Sequence, residues 1–456
     1  MERLAKTGPI FTDLYELTMA QCYFAEGITD EAAFSLFVRG YPENRNYYVS
    51  AGLEEALAEI CDYTFSDKDL AYLDKTGLFT DDFLDYLNRF RFTGTVRAMP
   101  EGSLFFADEP VMEVSAPIIE SQLLETYLIN TIGFSSLIAT KAARCVHAAR
   151  GRNVVDFSLR RNQGIDAGVK VARSCHIAGF AATSNVLAGK LYGIPVSGTM
   201  AHSFVSIFEN EYDAFRVFSE NYPDNTVLLI DTHDTIQGAE NAAKIGIEMK
   251  KKGLSLAGVR LDSGDMAALS RQVRRILDGA GLTDATIFAS SGFDEYKIDR
   301  VLRENALIDA FGVGTKLGVS ADAPYLDMVY KLVHFGDRDI TKQSPGKAYL
   351  AGEKQVFRKI GENGMYTGDI IGAKNETIEN AVPMLETIIE NGKITAPLPD
   401  LADIRRYCAE SIARLDETIK AIDSPAPYPV SASHNLLEKQ KHMAHGSPGG
   451  GHGNNL

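Results

Sequence analysis

The stretch "NTVLLIDTHD" at 225–234 is a short apolar run that ends in acidic, hydroxyl and imidazole side chains, and "LSLAGVRLDSGD" at 254–265 has a similar layout. Between them lies the helical pattern "GAENAAKIGIEMKKKG". Continuous apolar runs of strand length that alternate with helices are typical of parallel strands in βα units, because such strands are buried on both faces. These stretches therefore predict an α/β fold with a parallel sheet.

The same alternation extends in both directions along the chain. Further helical patterns occur at "GVKVARSCHIAGFAATS", "ENEYDAFRVFSEN", "MAALSRQVRRILDGAG" and "DEYKIDRVLRENA". Six strands at a spacing of roughly 30 residues favour a barrel or an open doubly wound sheet. The other four predicted strands are "RNVVDFSLRR" (152–161), "YGIPVSGTM" (192–200), "DATIFASSG" (284–292) and "IDAFGVGTKLG" (308–318).

The first part of the chain lacks this alternation. Helix-like "TDLYELTMAQCYFAEG", strand-like "EAAFSLFVRG" and helix-like "LEEALAEICDY" predict a separate α+β domain there. Strand-like "GMYTGDIIG" and "KITAPLP" are expected to return to its sheet. The sequence predicts an N-terminal α+β domain over 1–120, which strands from 340–400 complete. An α/β barrel catalytic domain is predicted over 121–335. A C-terminal segment over 336–440, with a helix near 401–422, and a disordered Gly-rich tail over 441–456 are predicted to follow.

Composition restricts the class of protein. The 456 residues are 45% hydrophobic, and the formal net charge of −15 argues against general binding of nucleic acid or of anionic membranes. The N-terminus has no apolar signal segment, and no run of about 18 apolar residues could span a bilayer. Five widely spaced cysteines without a CxxC pair indicate reduced thiols. We therefore expect a cytoplasmic protein without nucleic-acid or membrane partners.

Polar and charged side chains follow each of the six predicted strands. Because the carboxyl ends of parallel strands meet at one face of the sheet, these residues are expected to line one pocket. Polar, Gly-rich loops are ordinary in βα folds, but six successive clusters of this kind indicate a pocket that binds anions. The clusters contain Arg160, Arg161, Thr199, His202, Asp231, Thr232, Arg260, Asp262, Ser263, Ser291, Gly292, Gly314 and Thr315.

These residue types favour a polyphosphorylated substrate. The turns "SSGF" and "GVGT" offer backbone N–H groups to a phosphate, and arginines bind phosphate or carboxylate in bidentate fashion. Asp231, Asp262 and Asp265 are predicted to hold Mg²⁺, in part through water. The chain contains neither a GxxxxGK[ST] loop nor a correctly placed GxGxxG turn, which excludes the two commonest nucleotide motifs.

Five stretches resemble a known family. "TDLYELTMAQ", "FSLRRNQG", "SNVLAGKLYGIPVSGTMAHSFV", "GVRLDSGD" and "FGVGTKL" occur in this order between residues 12 and 318, and together they resemble nicotinate phosphoribosyltransferase. One departure is Ser158 in "FSLRR", where many members have Gly. The resemblance implies a type II phosphoribosyltransferase fold, an irregular α/β barrel of parallel βα units with an N-terminal α/β domain, in a homodimer.

The resemblance also implies a reaction and the residues that serve it. Nicotinate and 5-phosphoribosyl 1-diphosphate would give nicotinate mononucleotide and diphosphate in NAD salvage, with Mg²⁺ as cofactor and ATP hydrolysis coupled through a phosphohistidine at His202. Arg260 beside Thr199 would bind nicotinate, and Tyr15 of the partner subunit would stack on the pyridine in a shared active site. The remaining implied site residues are Asp231, Asp262, Arg160, Arg161, Ser263, Ser291, Gly292, Gly314 and Thr315.

The residues themselves agree with this chemistry, although they leave alternatives open. A pyridine nitrogen is already nucleophilic, so the enzyme must mainly stabilise an electron-poor ribosyl group and a departing diphosphate. A lone histidine such as His202 often only bonds a backbone carbonyl. The alternatives are a nicotinamide or quinolinate phosphoribosyltransferase, a phosphosugar aldolase or isomerase that would use Lys316, and a non-catalytic nucleotide sensor.

Overall fold

The structure, a computed structural model, describes residues 8–341 and 349–446, without the side chains of 444–446. The chain forms two compact units. The first contains Leu137–Pro324 and Ile422–Ser424, and the second contains the described parts of Leu4–Ser136, Tyr325–Ala421 and Pro425–Leu456. Of the predicted Gly-rich tail, residues up to 446 end a helix, and 447–456 lie outside the described residues.

The helices and strands follow one another along the chain in three parts. The first part contains α1 (Leu14–Ala25), β1 (Glu31–Val38), β2 (Tyr48–Val49), α2 (Leu53–Cys61), α3 (Asp67–Lys75), α4 (Asp81–Asn88), β3 (Thr95–Ala98), β4 (Leu104–Phe105), β5 (Met112–Pro117), α5 (Ile118–Gln122) and α6 (Glu125–Ala148). The middle part contains β6 (Asn153–Asp156), α7 (Ile165–Ile177), β7 (Ala182–Thr183), α8 (Val186–Tyr192), α9 (His202–Ser206), α10 (Glu211–Asn221), β8 (Val227–Leu229), α11 (Thr235–Lys251), β9 (Gly258–Leu261), α12 (Met266–Gly279), β10 (Thr286–Ala289), α13 (Glu295–Arg303), β11 (Ala310–Val313) and α14 (Thr315–Gly318), with 3-10 turns at Leu159–Arg161 and Pro223–Asn225. The last part contains β12 (Met328–Phe335), β13 (Arg338–Asp339), β14 (Lys354–Ile360), β15 (Tyr366–Ala373), β16 (Ala381–Pro383), β17 (Glu386–Glu390), β18 (Lys393–Ile394), α15 (Leu401–Ala413), β19 (Val430–Ala432) and α16 (His434–Gly446).

The first unit is built on a six-stranded sheet in the order β7-β6-β11-β10-β9-β8, with every neighbouring pair parallel. The sheet curls into a half-barrel, which confirms the predicted irregular α/β barrel. Five of the six predicted strands are present as β6, β8, β9, β10 and β11. The carboxyl ends of the strands therefore meet at one face of this sheet, as parallel pairing requires.

The second predicted strand, "YGIPVSGTM" at 192–200, is wrong. The strand at this place in the sheet is β7, and Val196 makes only an isolated parallel bridge to Thr183. Thr183 donates its N–H to the Pro195 carbonyl (3.0 Å) and accepts from the Ser197 N–H (2.9 Å). Proline has no N–H to extend the ladder, so the chain touches the sheet briefly and then leaves it.

Aspartates placed after the strands begin three of the helices of the first unit. Asp234, Asp265 and Asp294 each accept a hydrogen bond from a backbone N–H in the first turn of α11, α12 and α13. Helix α11 approaches β8 very closely, since a Cβ on Gly238 would lie 2.1 Å from the Ile230 carbonyl oxygen. This contact fixes α11 against the loop that follows β8.

The second unit is mainly antiparallel. Its seven-stranded sheet has the order β13-β12-β1-β5-β3-β17-β18, and a second sheet has the order β16-β14-β15-β19. Strand β1 is buried from its second residue onward and packs in a large apolar core with α2, α4 and α5. Helix α3, which was not predicted, begins at a capping box between Ser66 and Asp69. Among the described residues, no helix is long and apolar enough to cross a membrane.

One buried ion cluster in the second unit is satisfied by the chain itself. Glu113 on β5 is 1% exposed. Its oxygens accept from Ser35 Oγ (2.7 Å), Arg97 Nη2 (2.6 Å) and the Lys354 N–H (2.9 and 3.0 Å). The Lys354 Nζ also lies 3.4 Å from Oε1 of Glu113. Such a carboxylate has little need of a further ligand.

Candidate active site

The carboxylates that follow β8 and β9 form one cluster. Asp231 Oδ2 accepts from the Asp262 N–H (2.8 Å) and from Ser263 Oγ (2.6 Å). Asp231 Oδ1 is buried, and no residue in the described part of the chain gives it a hydrogen bond. Asp262 Oδ1 accepts from the hydroxyl of Ser290, which follows β10. The segments after β8 and β9 thus bring Asp231 and Asp262 together, and the segment after β10 adds a hydroxyl, while one acceptor is left unfilled in the described structure.

Arg260 on β9 is also incompletely satisfied. Its Nη1 donates to Thr199 Oγ1 (2.7 Å) and to the Met200 carbonyl (3.0 Å), as expected for the predicted Arg–Thr pair. Its Nε is buried without a hydrogen-bond partner among the described residues. Burial lowers the pKa of Arg260, the aspartates after β8 and β9 oppose this shift, and Arg160 adds to it. A planar anion would supply the missing acceptors and charge.

His202 begins α9 beside these carboxylates. Its Nδ1 lies 3.1 Å from Thr232 Oγ1, and its Nε2 lies 3.7 Å from Asp262 Oδ2. The side chain is 44% exposed, so a ligand can reach it. Nothing lies within 4 Å of the place where a Cβ on Gly198 would be. The imidazole is therefore oriented by a hydroxyl, adjoins a carboxylate and is open to solvent.

The three predicted Mg²⁺ ligands are not arranged alike. Asp265 uses Oδ1 to accept from the Ala268 N–H (3.0 Å) and to cap α12. Within the described ranges, no group of three or more His, Cys, Asp and Glu side chains could hold a metal ion by itself. The unfilled buried oxygen of Asp231, together with Asp262, nevertheless fits a hydrated Mg²⁺ whose other ligands are water and phosphate oxygens. The donor set suits such an ion better than a fully dehydrated one.

The turns after β10 and β11 form a second part of the site. Ser291 and Gly292 both have left-handed backbones, with φ of +88° and +62°. Lys297 Nζ donates to the Ser291 carbonyl (2.6 Å). Gly314 and Thr315 begin α14, and the next residue, Lys316, pairs with Asp294 (2.7 Å). Sequence reasoning missed Lys297, which only a helical spacing from the "SSG" turn could have suggested.

Asp156 at the end of β6 organises the loop that carries the paired arginines. Asp156 Oδ1 accepts from the Ser158 N–H (2.8 Å) and Oγ (2.5 Å), and its Oδ2 accepts from Thr183 Oγ1 (2.7 Å). Burial raises the pKa of Asp156, and these hydrogen bonds oppose the shift. The Ser158 hydroxyl also accepts from Asn162 Nδ2 (3.2 Å). The serine at this unusual position thus ties together the two ends of the 3-10 turn.

The remaining predicted residues are less closely connected to this cluster. Arg160 and Arg161 lie exposed on the 3-10 turn, and the charge of Arg160 influences Arg260. Tyr15 belongs to the second unit, near the start of α1, and is 47% exposed. Its predicted contact with a pyridine ring stays a prediction.

Unfilled donors and unfilled acceptors therefore lie next to each other at the strand ends. The guanidinium of Arg260 suits a carboxylate, the aspartates suit a metal-bound diphosphate, and the turns after β10 and β11 suit a phosphate. This combination, on a parallel half-barrel, is that of a type II phosphoribosyltransferase.

Comparisons with known proteins agree with this class. The sequence profile of the nicotinate phosphoribosyltransferase (NAPRTase) family matches residues 152–345, and profiles of the NAPRTase N-terminal and C-terminal domains match residues 10–133 and 377–440. The chain belongs to the nicotinate phosphoribosyltransferase family.

Similar proteins cover nearly the whole chain. A nicotinate phosphoribosyltransferase of Mycobacterium tuberculosis is 45% identical over 96% of this chain and 94% of its own length. That of Bacillus subtilis is 38% identical over 96% and 95%. The crystal structure of human nicotinic acid phosphoribosyltransferase has a TM-score of 0.85 at 28% identity, covering 95% of this chain and 99% of that chain.

Proposed function

We propose that the chain transfers the 5-phosphoribosyl group of 5-phosphoribosyl 1-diphosphate to the ring nitrogen of nicotinate, forming nicotinate mononucleotide and diphosphate in NAD salvage. Family membership over the whole chain supports the reaction. The observation that carries the choice of nicotinate is Arg260, whose buried Nε has no partner in the described structure and whose charge is incompletely compensated. A carboxylate gives that guanidinium two acceptor oxygens and a countercharge, whereas the neutral amide of nicotinamide gives one acceptor oxygen and no charge.

In the proposed reaction the chain binds and orients nicotinate and the ribosyl donor, and it does not need to transfer a proton. The nitrogen lone pair of nicotinate forms a bond to C1 of the ribose while the bond from C1 to the diphosphate oxygen breaks. No general base is required, because that nitrogen carries no proton to remove when it attacks. The carboxylate held at Arg260 and Thr199 would place the ring, and the turns after β10 and β11 would hold the 5-phosphate.

Mg²⁺ is proposed to bind at Asp231 and Asp262, with the diphosphate completing its ligands. When bound, the ion would neutralise negative charge on the leaving diphosphate. Ser263 and the Asp262 N–H orient Asp231, which leaves Asp231 Oδ1 for a ligand. Asp265, already used as a helix cap, is proposed to act only through water.

His202 is proposed to couple the reaction to ATP. An imidazole nitrogen would attack the γ-phosphorus of ATP, ADP would leave, and water would later release phosphate from the phosphohistidine. ATP contributes no atom to the nucleotide product, so coupling must act through a difference in substrate binding. The exposed imidazole, oriented by Thr232 and close to Asp262, supports this role.

The label on His202 can be tested directly. Incubation with γ-labelled ATP should give an acid-labile, base-stable label on the unmodified chain and none on His202→Ala. The variant should also lose ATP hydrolysis and any stimulation by ATP. Label retained by His202→Ala would exclude this histidine as the acceptor.

We also propose a homodimer with a shared active site, in which Tyr15 of the partner subunit stacks on the pyridine. The half-exposed ring of Tyr15 supports this role. Mixing Tyr15→Ala chains with His202→Ala chains should restore part of the activity in mixed dimers. Mixed dimers without any recovery would contradict the shared site. A cytoplasmic location is proposed from the five widely spaced cysteines, which contain no CxxC pair.

Diphosphate release is the experiment that decides the function. The purified chain should release diphosphate from the ribosyl donor with nicotinate, and far more slowly with nicotinamide or quinolinate, each measured with and without ATP. Equal rates with nicotinamide would favour the alternative pyridine specificity. Tight binding of the donor without any release would favour a nucleotide sensor.

A further inference from the structure

We propose that Lys297 is a positioning residue that holds the Ser291–Gly292 turn in the shape that binds the 5-phosphate of the ribosyl donor. This inference rests on the proposed function and assigns a role to a residue that the sequence did not single out. Lys297 is not proposed to react. Its proposed task is to fix the direction of the backbone donors in the turn.

The turn has an unusual backbone. Ser291 has φ of +88° and Gly292 has φ of +62°. Glycine adopts such values freely, but for serine the left-handed region costs free energy because its Cβ approaches the carbonyl oxygen. No atom lies within 4 Å of the place where a Cβ on Gly292 would be, so the turn is open on that side. The left-handed backbone of Ser291 is therefore expected to need a stabilising contact elsewhere in the turn.

Lys297 provides that interaction. Its Nζ donates to the Ser291 carbonyl (2.6 Å) and lies 4.5 Å from the centroid of the Phe293 ring, which is fully buried. Its own N–H donates to Asp294 Oδ1 (2.8 Å) in the cap of α13. The ammonium group of this nine-residue helix thus contacts both the Ser291 carbonyl and the ring that follows the turn.

This hydrogen bond also fixes the direction of a backbone donor. The Ser291 carbonyl and the Gly292 N–H belong to one planar trans peptide unit, in which they point in opposite directions. Because the carbonyl faces Lys297, the Gly292 N–H faces away from it. In the described part of the chain, that N–H donates to no backbone carbonyl, which leaves it available to an anion.

The charges around the turn also favour an anion. Lys316 pairs with Asp294 at 2.7 Å, while Lys297 is bonded to a carbonyl rather than to a carboxylate. Burial lowers the pKa of Lys297, Lys316 and Arg300 add to the shift, and Asp294 and Asp262 oppose it. The positive charge is thus undercompensated, and a phosphate monoester, which is largely dianionic near pH 7, matches it.

The first test compares three variants in the diphosphate-release assay. Lys297→Met should raise the KM for the ribosyl donor about tenfold or more, with the KM for nicotinate unchanged. Lys297→Arg, which keeps a charged donor, should recover most of this loss. Arg300→Met removes the same charge from the same helix without touching the turn and should change neither KM. An unchanged KM for the donor in Lys297→Met, in an active preparation, would overturn the proposal.

A double variant separates positioning from simple attraction of charge. Adding Ser291→Gly to Lys297→Met removes the backbone cost that Lys297 is proposed to offset, so part of the affinity for the donor should return. No recovery in the double variant would mean that Lys297 does not act through the turn. Thermal unfolding of each variant checks that the chain is folded, and Lys297→Gln replaces Lys297→Met if the latter is not.

Calorimetry with two fragments of the donor keeps this proposal distinct from the proposed function. Ribose 5-phosphate should bind Lys297→Met about tenfold more weakly than the unmodified chain, whereas diphosphate with Mg²⁺ should bind both equally. An unmodified chain that binds ribose 5-phosphate through Lys297 but releases no diphosphate would refute the function and keep the binding role. Equal weakening of both fragments would refute the role of Lys297.

Discussion

Two clusters of the molecule differ in how completely their buried charges are paired. One is the Glu113 cluster in the antiparallel unit. The other, the Asp231–Arg260 cluster in the parallel unit, contains Asp231, Arg260, Asp262 and Ser263. Glu113 accepts from a hydroxyl, a guanidinium and a backbone N–H, and both of its oxygens are filled. Asp231 Oδ1 and Arg260 Nε are buried without partners in the described structure. An unfilled buried polar atom costs about 1–3 kcal/mol.

The charges of the Glu113 cluster stabilise the fold, whereas the Asp231–Arg260 cluster has unpaired groups that a bound ligand can pair. A cluster completed by the chain gains little from a substrate. An incomplete cluster lowers the stability of the free protein, and that cost is recovered when a ligand with matching groups binds. Substitutions in the Glu113 cluster should therefore mainly lower stability, and substitutions in the Asp231–Arg260 cluster should mainly lower activity.

The largest effect is expected for Asp262→Asn. The amide oxygen can still accept from Ser290, but the charge that supports a metal-bound diphosphate is lost. We expect diphosphate release to fall about 10³-fold, or about 4 kcal/mol, with the thermal unfolding midpoint nearly unchanged. Activity within a few-fold of the unmodified chain would show that this carboxylate is structural, as in the Glu113 cluster.

Glu113→Gln should show the opposite pattern. The amide leaves Arg97 and Lys354 without their buried countercharge, so the free energy of unfolding should fall by about 3 kcal/mol. The KM for nicotinate of the folded fraction should stay the same. Urea unfolding followed by circular dichroism measures the loss, and an unchanged midpoint would contradict the distinction between the clusters.

Arg260→Lys is expected to lower kcat/KM for nicotinate about 10²-fold, because an ammonium group cannot give a carboxylate two parallel hydrogen bonds. Stability should change less than activity, since the lost Nε has no partner in the described structure and an ammonium group can still donate to Thr199 or to the Met200 carbonyl. Steady-state kinetics with nicotinate and with the ribosyl donor separates the effects. An equal loss toward both substrates would place Arg260 away from the nicotinate carboxylate.

The smallest effect concerns Glu16, an incompletely paired carboxyl in the antiparallel unit. Burial raises the pKa of Glu16 from 4.5 to about 7, the hydrogen bond from Gln122 opposes the shift, and Glu125 adds to it. A raised folded-state pKa stabilises the protein below the unfolded value, and this contribution is lost as the pH rises from about 4.5 to about 7.

The matching variant is Glu16→Gln. The difference in unfolding free energy between the unmodified chain and this variant should shift against the unmodified chain by about 1–2 kcal/mol across that pH range. Urea titrations at several pH values measure the difference. A difference independent of pH would mean that Glu16 titrates normally.

Much of the parallel unit could be predicted because its signals are local. Each apolar run that becomes a strand contains its functional residue near its end or is followed by it, so Asp231, Arg260 and Asp262 could be named before their contacts were known. The strand at 192–200 failed because "GIPV" has the right residues but Pro195 cannot extend a ladder, while the two-residue β7 is too short to leave a pattern. Helix α3 was missed although Ser66 and Asp69 carry a capping signal.

Contacts between distant residues could not be predicted in this way. Nothing in the sequence says that Ser290 will bond Asp262, because that contact depends on how neighbouring strands are aligned. The contact of Lys297 with Ser291 is local, but it depends on the left-handed turn between them. The same holds for Tyr15, whose proposed role depends on another subunit. The position of Asp265 directly before α12 indicates a helix cap, but an aspartate at this place is equally consistent with a metal ligand.

The contact between Gly238 and the Ile230 carbonyl limits how the enzyme can be redesigned. Any side chain at Gly238 would push the start of α11 away from the loop that carries Asp231, because even a Cβ would lie 2.1 Å from that oxygen. The position of residues 231–234 therefore depends on how closely α11 packs against Ile230. Gly198, in the segment before His202, has open space around it, so a side chain can be added there without such a clash.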